Sequence, residues 1–136
     1  MNVLGILPFA RQLLENAISK GDYAIDGTAG NGHDTLFLAN LVGETGHIFA
    51  FDVQEIAILN TKERLKKHNA LAQVSLYQTG HEKAVSVIPK EAFGNISGAI
   101  FNLGYLPGGN KTIVTTPQTT KNAIEAIFPM LKKEGI

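Results

Sequence analysis

The sequence contains no cysteine, which excludes disulfide bonds and thiolate metal sites and fits a reducing cytosol. It has no excess charge of either sign. Twelve Lys and Arg balance twelve Asp and Glu, so no basic field announces a nucleic-acid partner. No run approaches the roughly 20 apolar residues that a membrane span requires, and no membrane partner is expected. The apolar start, Val3 to Ala10, is broken by Gly5 and Pro8 and has no basic residue ahead of it. It does not read as a signal peptide, and the expected location is cytoplasmic. Repeats and low-complexity tracts are absent, and no metal site is assigned. What is present is 136 residues, 44% of them apolar, enough to build the core of one domain spanning residues 1–136.

Residues 23–34 read Tyr-Ala-Ile-Asp-Gly-Thr-Ala-Gly-Asn-Gly-His-Asp, and the rest of the chain is organised around them. Tyr23, Ala24 and Ile25 predict a short buried strand that Asp26 ends. Gly27, Gly30 and Gly32 then supply a turn whose backbone a ligand can approach closely. Asp34 is the expected N-cap of a helix over residues 35–42. Strand, glycine turn and helix N-terminus form a nucleotide- or cofactor-binding corner. A dinucleotide site wants G-x-G-x-x-G. Gly30 and Gly32 supply the first two positions, but Thr35 stands at the third. The run from Asp26 through Gly30 to Gly32 instead resembles the first motif of class I methyltransferases, acid-x-x-x-Gly-x-Gly, whose cofactor is S-adenosylmethionine. That cofactor has an ammonium group and no pyrophosphate, so a carboxylate at the strand end suits it and would repel a pyrophosphate.

The flanking chain alternates helix and strand. Pro8 opens a helix in which Ala10, Leu13, Leu14, Ala17 and Ile18 form one buried face. Residues 48–51 predict a second strand, wholly apolar as in parallel sheets buried on both faces. Asp52 follows, twenty positions after Gly32, close to where nucleotide-binding units carry the acid that holds a ribose. It supports a nucleoside without choosing between the two cofactors, and the competing reading is a plain helix cap. Val53 and Gln54 can flank the adenine. Residues 55–68 predict a helix with Ile58 and Leu65 inward and Lys62, Glu63, Arg64, Lys66 and Lys67 outward. Lys66, Lys67 and His68 can meet a phosphate, although such a cluster is commonly a solvated helix C-terminus. Residues 74–77 predict a third strand, with His81 near its carboxyl end at the adenine pocket or simply on the surface. A short helix carries Ala84, Val85 and Ile88 until Pro89 ends it.

A fourth strand over residues 99–101 delivers Asn102-Leu103-Gly104-Tyr105-Leu106-Pro107. Amino-group methyltransferases acting on nucleobases place a motif like Asn-Pro-Pro-Tyr at this strand end. Asn102 and Tyr105 keep its end positions, while Leu103-Gly104 replaces the prolines. Residues 103–116 show no clear periodicity and read as a long loop. Thr116-Pro117 then opens a last helix with Ala123, Ile124, Ile127, Phe128 and Leu131 inward.

Three segments together resemble one family: residues 25–35, residues 51–54 and residues 101–109, the last reading Phe-Asn-Leu-Gly-Tyr-Leu-Pro-Gly-Gly. They are similar to the bacterial rRNA methylase family related to the tRNA wobble-uridine enzyme that methylates 5-aminomethyl-2-thiouridine. The resemblance implies an α/β, Rossmann-like fold with a parallel sheet and helices on both faces. It implies S-adenosylmethionine, contacted at Asn31, His33, Asp52, Gln54 and His81, and a primary amine on a tRNA base as acceptor. The cofactor set expected in all is Asp26, Gly30, Asn31, Gly32, His33, Asp52, Gln54 and His81, with Asn102 and Tyr105 catalytic. The family's sheet continues beyond the point where this chain stops, so the fold is expected to be truncated after the fourth strand and its following helix. A homodimer is left open.

In this reading the sulfonium leaves readily, and the enzyme supplies placement and a neutral amine. His33 or His81 can assist. The other functions open to the chain are an rRNA methyltransferase, a nicotinamide-dependent oxidoreductase and a non-catalytic RNA-binding domain. The missing third glycine and the absence of a Tyr-x-x-x-Lys pair argue against the oxidoreductase, and zero net charge disfavours the RNA-binding module.

Overall fold

The computed structural model of the chain describes residues 8–80, 83–106 and 109–115. Helix α1 runs from Pro8 to Ala17, with Pro8 at the first helical position, where its missing N–H costs nothing. Ala10, Leu14 and Ile18 on the predicted face are buried, while Leu13 and Ala17 are partly so. Strand β1, Tyr23–Asp26, is followed by α2, His33–Val42, and by β2, His47–Phe51. Helix α3, Glu55–Lys67, leads to β3, Val74–Tyr77. The one-turn helix α4, Ala84–Val87, precedes β4, Ile96–Leu106.

These strands form one sheet in the order β3-β2-β1-β4, all parallel, with a fifth strand beyond β4. Helices α1, α2 and α3 cover one face. Leu14, Ile18, Leu38, Val42 and Leu65 pack there on Ala24, Ile48, Ala50 and Ile100. On the other face Ala84, Ile88 and Ala92 pack on Ile25, Phe49, Phe51, Ala99 and Phe101. Alternation along each strand explains the split, since consecutive side chains point to opposite sides. The expected α/β sheet with helices on both faces is what the chain adopts.

One segment departs from expectation. Residues 103–116 read as a loop, yet β4 continues to Leu106 and the chain returns as β5, Gly109–Thr115, antiparallel to it with Asn102 opposite Thr112 and Phe101 opposite Ile113. Four β-branched residues in a row, Thr112, Ile113, Val114 and Thr115, favour an extended backbone. A strand at a sheet edge needs no strict apolar alternation, which is why periodicity missed it. The sheet thus has five described strands rather than four. The expected last helix, opened by Thr116-Pro117 and closed by Gly135, and His81 lie outside the described residues.

Placing β1 between β2 and β4 sets a topological switch point. Crossovers leave β1 to one side and return on the other, so a crevice opens at the carboxyl ends, where sheets of this type bind ligands. Asp26, Asp52 and the glycine turn all stand on that rim.

Candidate functional site

The turn after β1 is stitched to both neighbouring strands. The Gly27 N–H donates to the Ile100 carbonyl at 2.8 Å, and the Ala29 N–H donates to the Phe51 carbonyl at 2.7 Å. Gly30 and Gly32 have φ of 57° and 90°, a region that L-residues with side chains avoid. At Gly32 a Cβ would also stand 2.9 Å from the Thr61 Cα, whereas among the described residues nothing lies within 4 Å of a Cβ at Gly30. Gly32 therefore lets the turn seat on α3, and Gly30 borders open space. Gly32 is also the N-cap of α2. The expected cap, Asp34, instead sits inside the first turn and is 4% exposed. The left-handed Gly32 starts the helix two residues early, its carbonyl accepting from the Leu36 N–H at 2.9 Å.

Asp26 has no exposed surface. One carboxyl oxygen accepts from the Thr28 N–H at 3.0 Å and the other from the Thr35 hydroxyl at 2.6 Å. The direct grip on an ammonium expected of Asp26 is not what this geometry provides. The carboxyl lies beneath the turn and holds its shape. Thr35, which at first only spoils a dinucleotide motif, is its partner. Burial raises the Asp26 pKa to about 8, with the charges of Asp34 and Asp52 adding to the rise and the Thr35 and Thr28 hydrogen bonds opposing it.

A pH dependence follows from that shift. Between the ordinary value of 3.8 and about 8 the folded chain holds a proton that the unfolded chain has released. Stability from this group is complete below the lower value and is lost as pH rises through the window. Asp26→Asn, neutral at every pH, is expected to flatten the slope and to exceed the parent most at the alkaline end. Chemical denaturation of both proteins across the window tests this, and parallel curves would refute it. His33 and His47 are both pushed below the ordinary value of 6.5, chiefly by burial. Their contribution has the opposite sign and cancels in the comparison of the two proteins.

Asp52 follows β2 and is half-buried. Its two oxygens accept from the Gly30 N–H and from the Gln54 N–H, each at 3.0 Å. The N-cap of α3 is Gln54, so Asp52 is not the plain helix cap of the competing reading. Each carboxylate oxygen keeps acceptor capacity for a further donor. The hydrogen bond to Gly30 joins the tips of β1 and β2 beside the space left open at Gly30. Gln54 is exposed and Val53 is 65% exposed on the same rim. These groups suit a nucleoside with two adjacent hydroxyls and a flat base.

Residues on α3 that periodicity did not mark hold the turn from its outer side. The buried Thr61 donates to the Gly30 carbonyl at 3.0 Å, Arg64 Nε donates to the Asn31 carbonyl at 2.8 Å, and the Asn60 amide reaches Asn31 Oδ1 at 3.3 Å. Arg64 was expected to face outward and is instead half-buried. The buried stripe is Ala57, Thr61 and Leu65, with Ile58 only partly covered. The i, i+4, i+8 spacing of that stripe was the available signal, masked because Thr and Ala count weakly as apolar. His33 is partly buried in the first turn of α2, with the Arg64 charge also lowering its pKa.

Opposite the turn, β4 pairs with β1 so that Ile100 lies beside Asp26. Asn102, two residues further on, is therefore on the carboxyl rim, and Tyr105 is in the same strand, within the register shift between Leu103 and Leu106 where β4 meets β5. The sequence-predicted residues Asp26, Gly30, Asn31, Gly32, His33, Asp52, Gln54 and Asn102 thus converge on one end of the sheet. Among the described residues no helix is long and apolar enough to cross a membrane.

Comparison with known proteins places this geometry. A tRNA (mnm(5)s(2)U34)-methyltransferase of Arabidopsis thaliana chloroplasts is 38% identical over 93% of this chain and 48% of its own length. The structure of a "putative rRNA-methylase" from Clostridium thermocellum superposes with a TM-score of 0.68 at 39% identity, over 92% of this chain and 63% of that one. A "putative methyltransferase" from Streptococcus mutans, crystallised with SAH, has a TM-score of 0.65 at 39% identity, over 88% of this chain and 62% of that one. The chain thus spans about half the length of the Arabidopsis relative and under two thirds of these structures. Residues 48–136 match the family model described as "Putative rRNA methylase", and the chain belongs to that family.

Proposed function

We propose that the chain is the cofactor-binding part of an S-adenosylmethionine-dependent methyltransferase acting on an amine of an RNA base. The finer reading is the 5-aminomethyl group of the wobble uridine in tRNA, as the name of the Arabidopsis relative suggests. The observation that carries the proposal is the hydrogen bond from the Gly30 N–H to Asp52, which joins two strand tips around an open corner. A nucleoside with free ribose hydroxyls fits there. The corner's backbone has no third glycine to bring a helix close under a pyrophosphate. The S. mutans relative crystallised with SAH supports the same cofactor.

The residues divide the work. Asp52 accepts the ribose hydroxyls, Gly30 and Asn31 present backbone to the amino-acid end, and Val53 and Gln54 border the base. Asp26 acts beneath them through Thr28 and Thr35, setting the turn without touching the ligand. S-adenosylmethionine, when bound, supplies an activated methyl group with a good leaving group. What remains for the chain is to orient the incoming nitrogen and keep its lone pair free. Asn102 accepts hydrogen bonds from that amine, and Tyr105 stacks on the base that bears it. Burial and the Arg64 charge push the His33 pKa below its ordinary value, and the neutral ring can take the proton released after transfer.

A thermal-shift panel of S-adenosylmethionine, its demethylated product, NAD and NADP tests the cofactor. A ligand at a hundred times its Kd adds roughly 2.7 kcal/mol of stability, a clear upward shift of the midpoint. The expected result is a shift with the first two compounds and none with the nicotinamides. The reverse pattern would favour an oxidoreductase.

A further inference from the structure

Outside the corner assigned to the cofactor lies a second cavity of about 280 Å³, lined by Asn31, Asn60, Glu63, Arg64, Lys67 and His68. It shares only Asn31 with the cofactor set and sits on the outer side of the same turn. Its charge is unusual for this chain. The whole sequence has a formal net charge of zero, yet Lys62, Arg64, Lys66 and Lys67 crowd the second half of α3 against the single acid Glu63. Cations in a last helical turn complement the helix dipole, but that preference accounts for neither a cavity nor the anchoring of Arg64. The Arg64 Nε donates to the Asn31 carbonyl at 2.8 Å, which fixes the plane of the guanidinium and leaves its two terminal NH₂ groups for another acceptor. A preset guanidinium fork beside an ammonium is a good receptor for phosphate oxygens. The neighbouring amides of Asn31 and Asn60 suit a sugar hydroxyl.

We infer that this cavity binds a backbone phosphate of the RNA substrate, on the far side of the cofactor turn from the transferred methyl group. The inference rests on the proposed RNA methyltransferase function and gives its substrate a docking point. Zero net charge is then no obstacle to RNA binding, because four of the twelve cations gather in the second half of α3, where Glu63 is the single acid. Glu63 is the one group lining the cavity that opposes an anion.

Fluorescence anisotropy with a labelled anticodon stem-loop RNA over a salt series, on the full-length protein, tests this. Lys67→Ala is expected to weaken RNA binding several-fold and to lower the salt slope by about one. Glu63→Gln is expected to tighten it. Lys20→Ala removes the same charge from an exposed position between α1 and β1 and is expected to change neither quantity. Calorimetry should give all three variants the parent affinity for S-adenosylmethionine. The inference is overturned if Lys67→Ala binds RNA as the parent does, if Lys20→Ala weakens it equally, or if the parent has no affinity for the stem-loop. Loss of S-adenosylmethionine binding by the parent protein, with the RNA results as expected, would instead count against the proposed cofactor and leave the phosphate site standing.

Discussion

Gly32→Ala is expected to destabilise the fold by roughly 2–5 kcal/mol, combining about 1–2 kcal/mol for a side chain in the left-handed region with typically 1–3 kcal/mol for overpacking. Both causes are visible at this residue, where φ is 90° and a Cβ would stand 2.9 Å from the Thr61 Cα. The clash is with backbone of a helix that is itself seated by Leu65, so no rotamer change relieves it. Moving α3 would also pull on the Thr61 hydrogen bond to the Gly30 carbonyl. Equilibrium denaturation measures the loss. Gly30→Ala is the informative companion. Its φ is also positive, at 57°, but among the described residues no atom lies within 4 Å of the added methyl. It should lose only the backbone part of the stability while losing S-adenosylmethionine affinity, because the space the methyl enters is the space assigned to the ligand. If Gly32→Ala stays within about 0.5 kcal/mol of the parent, the ordinary range for an inconsequential substitution, the turn does not depend on close contact with α3. If Gly30→Ala binds the cofactor normally, the ligand lies elsewhere.

Asn102→Ala is expected to lower kcat by about 100-fold or more, equivalent to roughly 2.7 kcal/mol of transition-state stabilisation, with little change in cofactor affinity. The expectation rests on placement. Residue 102 is two positions beyond Ile100, the partner of Asp26, and therefore on the rim across from the glycine turn. A side chain that orients the incoming amine acts in the transition state and not in holding the cofactor, so kcat and kcat/KM should fall together. An unchanged thermal midpoint would separate this from a loss of structure. Calorimetry showing that cofactor affinity is lost, while turnover persists at saturating cofactor, would reassign Asn102 to the cofactor side.

Much of this site was legible as sequence because its signals are local. A strand of three apolar residues, an acid, and glycines at fixed spacing dictate a turn whatever surrounds it, and Asp52 followed from its distance along the chain. One placement was not legible because it depends on depth. Asp26 and Asp52 look alike in sequence, both acids at strand ends. Only packing decides that Asp26 is sealed beneath the turn by Thr28 and Thr35 while Asp52 stays on the surface of the corner. The antiparallel return of β5 was misread for a related reason. An edge strand satisfies its backbone through a partner and shows no period of its own.

The sequence by itself determined the alternation of strands and helices, the glycine corner and the identity of the rim residues, because turn chemistry and apolar spacing act between near neighbours. Only the tertiary structure decided which acid is sealed in the core and which stays at the rim, and that α3 holds the glycine turn through Thr61, Asn60 and Arg64. Those contacts join residues about thirty positions apart. Burial and cross-chain hydrogen bonds of that kind depend on how the sheet brings its ends together, which no local pattern encodes.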